Sequence, residues 1–274
     1  MTQLGEAIAF GELGGDFECP FKHTKKKVKK DIKNVMPKKW GENDADELGH
    51  NLTDEYHFNT PIKFTLWGEK HEAQYTPHHL IPGNASWPKT KLQKWVEKGK
   101  SNHITHNYGY DVNGLRNGVS LPGNNGFRSA TKMSWKHGLH PDDQAEYAFK
   151  CMDLAVQHRQ FHDAHTSYNE FVINVLDKIA KKLDDGAKAG KPGCGKKNCQ
   201  GGSGSSKPYN PPTNLIARLN GVAQRLENHL CGHPSTWKMP IYTSRFALMY
   251  QQNISEKKAA KMLKKAGEAE RSSR

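Results

Sequence analysis

The amino-acid sequence predicts an α+β fold in which short strands precede longer helices. Apolar residues over Phe58–Leu66 and Ala73–Ile81 indicate two extended segments. Residues with helical spacing then occupy Pro141–Val156, Ser167–Leu183 and Leu215–Leu230. The second of these helices has an apolar residue at every fourth position, namely Phe171, Val175, Ile179 and Leu183. Such a stripe is typical of a helix face that packs against a core.

Two shorter features lie between the strands and the long helices. Lys89–Lys98 has the spacing of a short helix, with Leu92, Trp95 and Val96 on its apolar side. Gly109–Pro122 contains two Asn-Gly pairs flanked by apolar residues, which is the pattern of hairpin turns. The sequence therefore predicts a β-hairpin in this stretch.

Composition divides the chain into four parts. Residues 1–57 form a weakly ordered N-terminal arm with a basic run, Lys22–Lys30, for which a solvated arm is favoured over a contact along a phosphate backbone. Residues 58–185 hold the predicted strands and first long helices and form the main domain. Residues 186–212 are a Gly- and Pro-rich linker, and residues 213–274 are a helical region with a Lys-rich end.

Charge and composition narrow the classes of function. The chain has 41 Lys and Arg against 28 Asp and Glu, a formal net charge of +13, which favours nucleic acid or an acidic surface as partner. No apolar run approaches the roughly 20 residues of a membrane span. The N-terminus also lacks the basic residues of a general secretory signal. Five cysteines are too few, and odd in number, for a disulfide scaffold, so a reduced compartment is expected.

The placement of the histidines is more informative than their number. His78 and His79 are adjacent at the end of a predicted strand, and His162 and His165 are three residues apart at the mouth of a predicted helix. His158, four residues before His162, offers a competing pair. Two helix histidines and one strand histidine suit a divalent ion such as Mg²⁺, Mn²⁺, Ni²⁺ or Zn²⁺. A neighbouring neutral histidine can activate water, so the pattern favours hydrolysis at a phosphate.

The sequence resembles a known family in three motifs that follow one another in order. They are the strings PHHLIPGN, GYDVNGLRNGVSLP and FHDAHTSYNEFVINVL, within Thr76–Leu183. Together they resemble the AHH branch of the HNH, or ββα-metal, nuclease superfamily. Pro77 stands where that family usually has Ala or Gly, a difference expected to alter only the entry to the strand.

The resemblance implies a small ββα-metal core within a mostly helical shell. It implies that His78 is a metal ligand and that His79 is the general base for the attacking water. It further implies that Asn117 orients either the base or the hairpin. On the helical side, it makes His165 a metal ligand and His162 a second ligand or a phosphate contact.

Several other residues are candidates for supporting roles. Arg116 and Arg128 lie near the hairpin and are as readily contacts for the scissile phosphate as ordinary surface arginines. A structural zinc clip is a second candidate, with ligands drawn from Cys19, His23, Cys194, Cys199 and Cys231. Free thiols, or a disulfide formed after export, are favoured over this clip because the spacing is not that of a standard zinc finger.

These observations favour a metal-dependent, largely sequence-non-specific DNA endonuclease acting as an antibacterial toxin, since families of this kind are commonly toxin domains of polymorphic toxin and type VI secretion systems. The expected partners are double-stranded DNA, an acidic immunity protein, and a secretion-system adaptor or chaperone. The chain is expected to be made in a bacterial cytoplasm, exported by a specialised system and active in the cytoplasm of a target cell. The alternatives are a non-catalytic, zinc-pinned nucleic-acid-binding module and a metal-independent RNase toxin.

Overall fold

The structure is a computed structural model, and it describes a set of segments with gaps between them. The described residues are 2–11, 44–56, 60–97, 103–104, 110–124, 127, 134–135, 139–188 and 215–254. The basic run near the N-terminus, the linker from residue 189 onward and the Lys-rich end lie outside them. So do four candidate zinc ligands and one candidate phosphate contact, namely Cys19, His23, Cys194, Cys199 and Arg128.

Short strands and longer helices alternate irregularly along the chain. The helices are α1 (Thr2–Phe10), α2 (Ala45–Tyr56), α3 (Gln93–Val96), α4 (Pro141–Leu154), α5 (Thr166–Lys188) and α6 (Leu215–Leu230). The strands are β1 (Ile62–Leu66), β2 (Glu69–Ala73), β3 (Tyr75–His79) and β4 (Gly118–Pro122). Residues 245–254 are also helical. Among the described residues, no helix combines the length and the apolar character needed to cross a bilayer. The α+β class predicted from the sequence is confirmed.

The chain forms two compact units, each assembled from three separate segments. The first unit comprises Met1–Asn51, His79–Val119 and Asn169–Leu226, and the second comprises Leu52–His78, Ser120–Tyr168 and Glu227–Arg274. The chain therefore passes from the second unit to the first between the adjacent histidines at the end of β3.

In the second unit, β1 and β2 form an antiparallel hairpin whose inner face packs on α4. The pairing runs from Ile62 opposite Ala73 to Leu66 opposite Glu69. The two turn residues, Trp67 and Gly68, both have positive φ (51° and 78°), as a type I′ turn requires. The buried core here is formed by apolar residues of the hairpin, α4, the loop before α5 and the C-terminal segment, including Phe64, Ala73, Tyr147, Ala148, Phe161, Trp237 and Phe246.

Strands β3 and β4 pair with each other, and β3 ends in the histidine pair. Leu80 N–H donates to Asn117 O at 2.8 Å, and Gly123 N–H donates to Gln74 O at 3.2 Å. These two bonds join the end of one strand to the start of the other, so the strands run antiparallel. Gly123 lies directly against Thr76, because a Cβ on the glycine would lie 2.6 Å from Thr76 Oγ1. This close approach requires glycine.

The hairpin predicted for the Asn-Gly stretch is wrong where the structure describes it. Leu115–Asn117 is a 3₁₀ turn, and β4 after it pairs with β3. Gly114 has φ −65° and Gly118 has φ −121°, whereas an Asn-Gly hairpin turn requires positive φ. The asparagines of both pairs instead have buried, hydrogen-bonded side chains.

The long helix α5 is the main helix of the first unit. The predicted helix over Ser167–Leu183 is confirmed and extends over Thr166–Lys188. Its buried stripe includes the four residues predicted from the sequence, Phe171, Val175, Ile179 and Leu183, and also Val172, Leu176 and Ala180. Two acids beside this stripe bind the segment that contains α3. Asp177 Oδ1 accepts from Thr90 Oγ1 at 2.6 Å, and Asp184 Oδ1 accepts from Trp95 Nε1 at 2.8 Å.

The other predicted helices are confirmed with altered ends. The short helix predicted over Lys89–Lys98 is α-helical only at Gln93–Val96. The helix predicted to start at Pro141 does so, with His140 as its N-cap and the proline in its first turn. Helix α6 has the predicted bounds.

The first helix is packed rather than solvated. Ile8 and Ala9 of α1 are buried, and Ile8 O accepts a 2.7 Å hydrogen bond from Arg225 Nε of α6. Arg218 of the same helix lies 5.4 Å from the centre of the Phe10 ring. The weak order expected for residues 1–57 therefore does not hold for α1, because Ile8 and Ala9 are buried and two arginines of α6 contact its last turn.

Candidate metal centre and general base

Three histidines of the second unit form one cluster. His78 is the penultimate residue of β3, and His162 and His165 lie in the segment that leads into α5. One ring nitrogen from each lies within 4.8 Å of the others. The ring centre of His78 is 4.9 Å from the ring centre of His162 and 4.9 Å from that of His165. The structure thus brings together the three residues expected from the sequence to bind metal.

The two later histidines reach this cluster from a loop rather than from a helix face. Helix α5 begins only at Thr166, after both residues. The i, i+3 helical argument for His162 and His165 is therefore wrong, although their ring centres lie 5.2 Å apart. The competing candidate His158 is elsewhere, with its ring 5.1 Å from that of His233.

Main-chain hydrogen bonds hold this histidine loop in place. His162 N–H donates to Pro122 O at the end of β4 at 2.7 Å. One residue later, Asp163 N–H donates to Thr243 O at 2.9 Å. Both acceptors are main-chain carbonyls, one from β4 and one from the C-terminal segment. The main chain at His162 and Asp163 is therefore held by β4 and by the C-terminal segment.

Two side chains anchor the start of the same loop. The Gln160 amide donates to Ile241 O at 3.1 Å and accepts from Thr243 N–H at 3.0 Å. The guanidinium of Arg159 donates to Ser120 O of β4 at 2.9 Å. Both side chains are buried, where a satisfied hydrogen bond gives strong positional restraint.

The cluster has one buried and two partly buried histidines, and its electrostatics suit a cation. His78 is 2% exposed, and the ring of Tyr168, which is fully buried, lies 5.1 Å from its centre. Burial, together with the neighbouring His165, lowers the pKa of His162 to about 3. His162 is therefore neutral at pH 7 and has a lone pair to offer. Since metal ligation requires neutral imidazole, the donor set fits a divalent ion.

His79, the next residue along the chain, has different surroundings in the first unit. Its Nε2 lies 2.8 Å from Asn113 Oδ1, and because Oδ1 can only accept, Nε2 carries the hydrogen. Nδ1 is then the atom that can take a proton. Burial lowers the pKa of His79, although the hydrogen bond to Asn113 and the charges of Asp44 and Asp111 oppose this. His79 is neutral at neutral pH, as a general base must be.

Asn113 was not among the residues singled out from the sequence. It belongs to the first Asn-Gly pair, which the pattern assigned to a turn. The side chain is 1% exposed, with Oδ1 accepting from Asp44 N–H at 3.0 Å and Nδ2 donating to Glu47 Oε2 at 2.9 Å. These bonds orient the amide so that its oxygen faces His79. No local sequence signal connects residues so far apart in the chain.

Asn117 holds the main chain next to the histidine pair. Its Oδ1 accepts from Ile81 N–H at 2.8 Å, while its Nδ2 donates to Ile81 O at 3.0 Å and to Val112 O at 2.8 Å. The amide therefore acts as an extra strand partner for residue 81. Asn117 was expected to orient either the base or the hairpin. Its three hydrogen bonds all go to main-chain groups, so it orients the backbone.

Arg116 and Cys231 are the remaining candidates within the described residues. Arg116 is exposed on the 3₁₀ turn before β4. Burial raises the pKa of the Cys231 thiol to about 11, and Arg159 donates to its Sγ at 3.4 Å. In the described part of the chain, Cys231 joins no group of three potential metal ligands. With its four proposed partners outside the described residues, the zinc clip stays a prediction.

Part of the chain matches a protein-family model. Residues 62–191 match the model of the AHH family, which is described as a nuclease family of the HNH/ENDO VII superfamily with conserved AHH. The corresponding triplet here is Pro77, His78 and His79. The comparisons with curated proteins and with solved structures give no match.

Replacing Asn117 with alanine is expected to destabilise the fold. The substitution leaves three buried main-chain groups of Ile81 and Val112 without their side-chain partner. We expect the free energy of unfolding to fall by about 2–4 kcal/mol, measured by urea denaturation followed by circular dichroism. As a control, Asn174→Ala removes an exposed amide from α5 and should change it by less than about 0.5 kcal/mol. Equal stability of the two variants would contradict this account of Asn117.

Proposed function

Since residues 62–191 belong to the AHH family of nucleases, we propose that the chain is a metal-dependent DNA endonuclease. The observation that carries the proposal is the cluster of His78, His162 and His165, with His79 as the next residue after the first of them. A cation site and a neutral base carried by consecutive residues are the two components that metal-dependent hydrolysis of a phosphodiester uses.

We assign the metal to the three clustered imidazoles. When bound there, a divalent ion supplies Lewis-acid stabilisation of negative charge on the phosphate and on the leaving oxygen. Imidazole ligands favour Ni²⁺ and Zn²⁺ over Mg²⁺ and Mn²⁺, which prefer oxygen ligands. We therefore propose that Ni²⁺ and Zn²⁺ bind more tightly than Mg²⁺.

His79 carries the proton-transfer step in this proposal. Its Nδ1 accepts a proton as water attacks phosphorus, a new P–O bond forms, and the bond to the 3′ oxygen breaks. The leaving oxygen takes its proton from solvent, and His79 returns its proton to solvent afterwards. No covalent intermediate with the protein is involved. The hydrogen bond from Nε2 to Asn113 keeps Nδ1 as the accepting atom throughout.

The charge of the chain supports DNA as the substrate. A net charge of +13 provides sequence-independent attraction to phosphates. Arg116, exposed on the turn before β4, is our proposed phosphate contact within the described residues. Binding through phosphates alone predicts little sequence preference and a steep loss of affinity with salt.

Plasmid cleavage tests the enzymatic proposal. Supercoiled DNA is incubated with the wild type in Mg²⁺, Mn²⁺, Ni²⁺ or Zn²⁺, or in EDTA, alongside His165→Ala and His158→Asn. Asparagine suits position 158 because the residue has φ 54°. We expect cleavage that requires metal, falls by about 100-fold or more in His165→Ala, and is unchanged in His158→Asn.

Two results of that experiment would redirect the assignment. Intact plasmid in every metal, from folded protein that still binds DNA, would leave only a nucleic-acid-binding module. Degradation of a single-stranded RNA substrate that persists in EDTA would indicate the metal-independent RNase instead.

We further propose that the nuclease is an antibacterial toxin exported to a target cell and restrained in the producing cell by an acidic immunity protein. The first part is supported by the resemblance to the AHH nucleases, because families of this kind are commonly toxin domains. The charge of +13 supports an acidic partner. Growth of a bacterial host should stop on production of the wild type but not of His165→Ala. Co-production of the acidic protein encoded beside the gene should restore growth. Equal growth of wild type and variant would contradict the toxin role.

A further inference from the structure

We infer that Glu47 and Asn113 are positioning residues for the base, so that helix α2, which lies before the family-matched segment, is part of the active site. The inference rests on the proposed role of His79. It concerns residues that the family match at 62–191 covers only in part, because Glu47 precedes that segment.

The argument begins at the Asn113 side chain. Its Oδ1 accepts two hydrogen bonds, from His79 Nε2 at 2.8 Å and from Asp44 N–H at 3.0 Å. Its Nδ2 donates to Glu47 Oε2 at 2.9 Å. Reversing the amide would place a donor against Asp44 N–H and an oxygen against the Glu47 carboxylate. Both contacts would then be repulsive, so Glu47 and Asp44 fix which atom faces His79.

The main chain of Asn113 is fixed as well. Asn51 Nδ2 of α2 donates to Asn113 O at 2.9 Å, and Asn113 N–H donates to Asp111 Oδ1 at 3.0 Å. Together with the side-chain bonds, three residues hold Asn113: the N-cap of α2, Asp44, and two residues within the helix, Glu47 and Asn51. The base is thus held by a residue that is itself held by α2.

The N-terminus of α2 contacts Asn113 through the same two residues that would form a capping box, Asp44 and Glu47. Asp44 is its N-cap, since Asp44 Oδ1 accepts from the N–H groups of Asp46 at 3.1 Å and Glu47 at 2.9 Å. Glu47 is three residues after the cap, the position from which a capping-box acid bonds back to the N–H of the N-cap residue. Here the Asn113 amide lies between these two groups, accepting from Asp44 N–H and donating to Glu47. Asn113 therefore bridges the two groups that a capping box joins directly.

The consequence for chemistry is a single accepting atom on His79. A hydrogen held on Nε2 leaves Nδ1 as the proton acceptor and prevents rotation of the ring. Loss of Glu47 removes one of the two contacts that orient the Asn113 amide. The amide can then turn more readily, which lets the imidazole change its tautomer or orientation. A misplaced base lowers the rate of the chemical step without weakening the attraction between DNA phosphates and the protein.

The test compares Glu47→Ala, Glu47→Gln and Asn113→Ala in the full chain with Asp46→Ala as matched control. Asp46 is exposed in the same first turn and carries the same charge, so its removal matches the loss of helix-dipole stabilisation. Histidine imidazoles are labelled with ¹⁵N, and the Nε2–H proton of His79 is observed by NMR in EDTA. The rate of plasmid cleavage and its KM are measured on the same variants.

We expect the Nε2–H signal of His79 in the wild type, Asp46→Ala and Glu47→Gln, because glutamine keeps an oxygen that accepts from Asn113. The signal should exchange rapidly with water or disappear in Glu47→Ala and Asn113→Ala. The corresponding kcat should fall by about 10- to 100-fold, with KM within about two-fold of the wild type. Glu47 is exposed, so Glu47→Ala should fold even if Asn113→Ala does not.

The inference is overturned if Glu47→Ala keeps both the signal and the kcat of Asp46→Ala. It is also overturned if Glu47→Ala loses rate only through KM. Because the NMR signal is read without metal or DNA, it is independent of the nuclease assay. A wild type without nuclease activity but with a Glu47-dependent signal would refute the proposed function and leave the contact intact.

Discussion

The candidate site depends on how the chain is held immediately after two adjacent histidines. Consecutive side chains of a strand point to opposite faces, so His78 and His79 at the end of β3 have separate neighbours. His78 contacts two imidazoles, and His79 contacts the Asn113 amide. The bonds of Asn117 to both main-chain groups of Ile81 fix the direction in which the strand continues. A slip of one residue there would exchange the surroundings of the two histidines.

Much of the support for this site comes from outside the segment that matches the family. The histidine loop is bound by the segment containing Thr243, and His79 is bound through Asn113 by the start of α2. These flanking parts supply hydrogen bonds to buried polar groups, which the small two-stranded sheet of β3 and β4 could not satisfy alone. The flanking parts of the chain are therefore structural elements of the site.

Sequence patterns predicted the features that local spacing determines. The helices that begin at Pro141 and Leu215 follow from helical periodicity and, at Pro141, from a proline in the first turn. The histidine motifs also named the residues of the cluster. The patterns failed where a distant partner decides the outcome. The Asn-Gly pairs alone are typical of hairpin turns, but here both asparagine side chains bind buried partners. No residue near Glu47 in the sequence indicates its contact with Asn113.

The most direct test of the account is whether the adjacent histidines separate into two functions. Zn²⁺ and Ni²⁺ binding is measured by calorimetry, and single-turnover cleavage is measured at saturating metal, for His78→Ala and His79→Ala. The account predicts that His78→Ala loses metal affinity by about 10-fold or more. It predicts that His79→Ala binds metal as the wild type does and loses about 100-fold or more in the rate of cleavage. Equal loss of metal affinity in both variants, or full cleavage by His79→Ala, would contradict it.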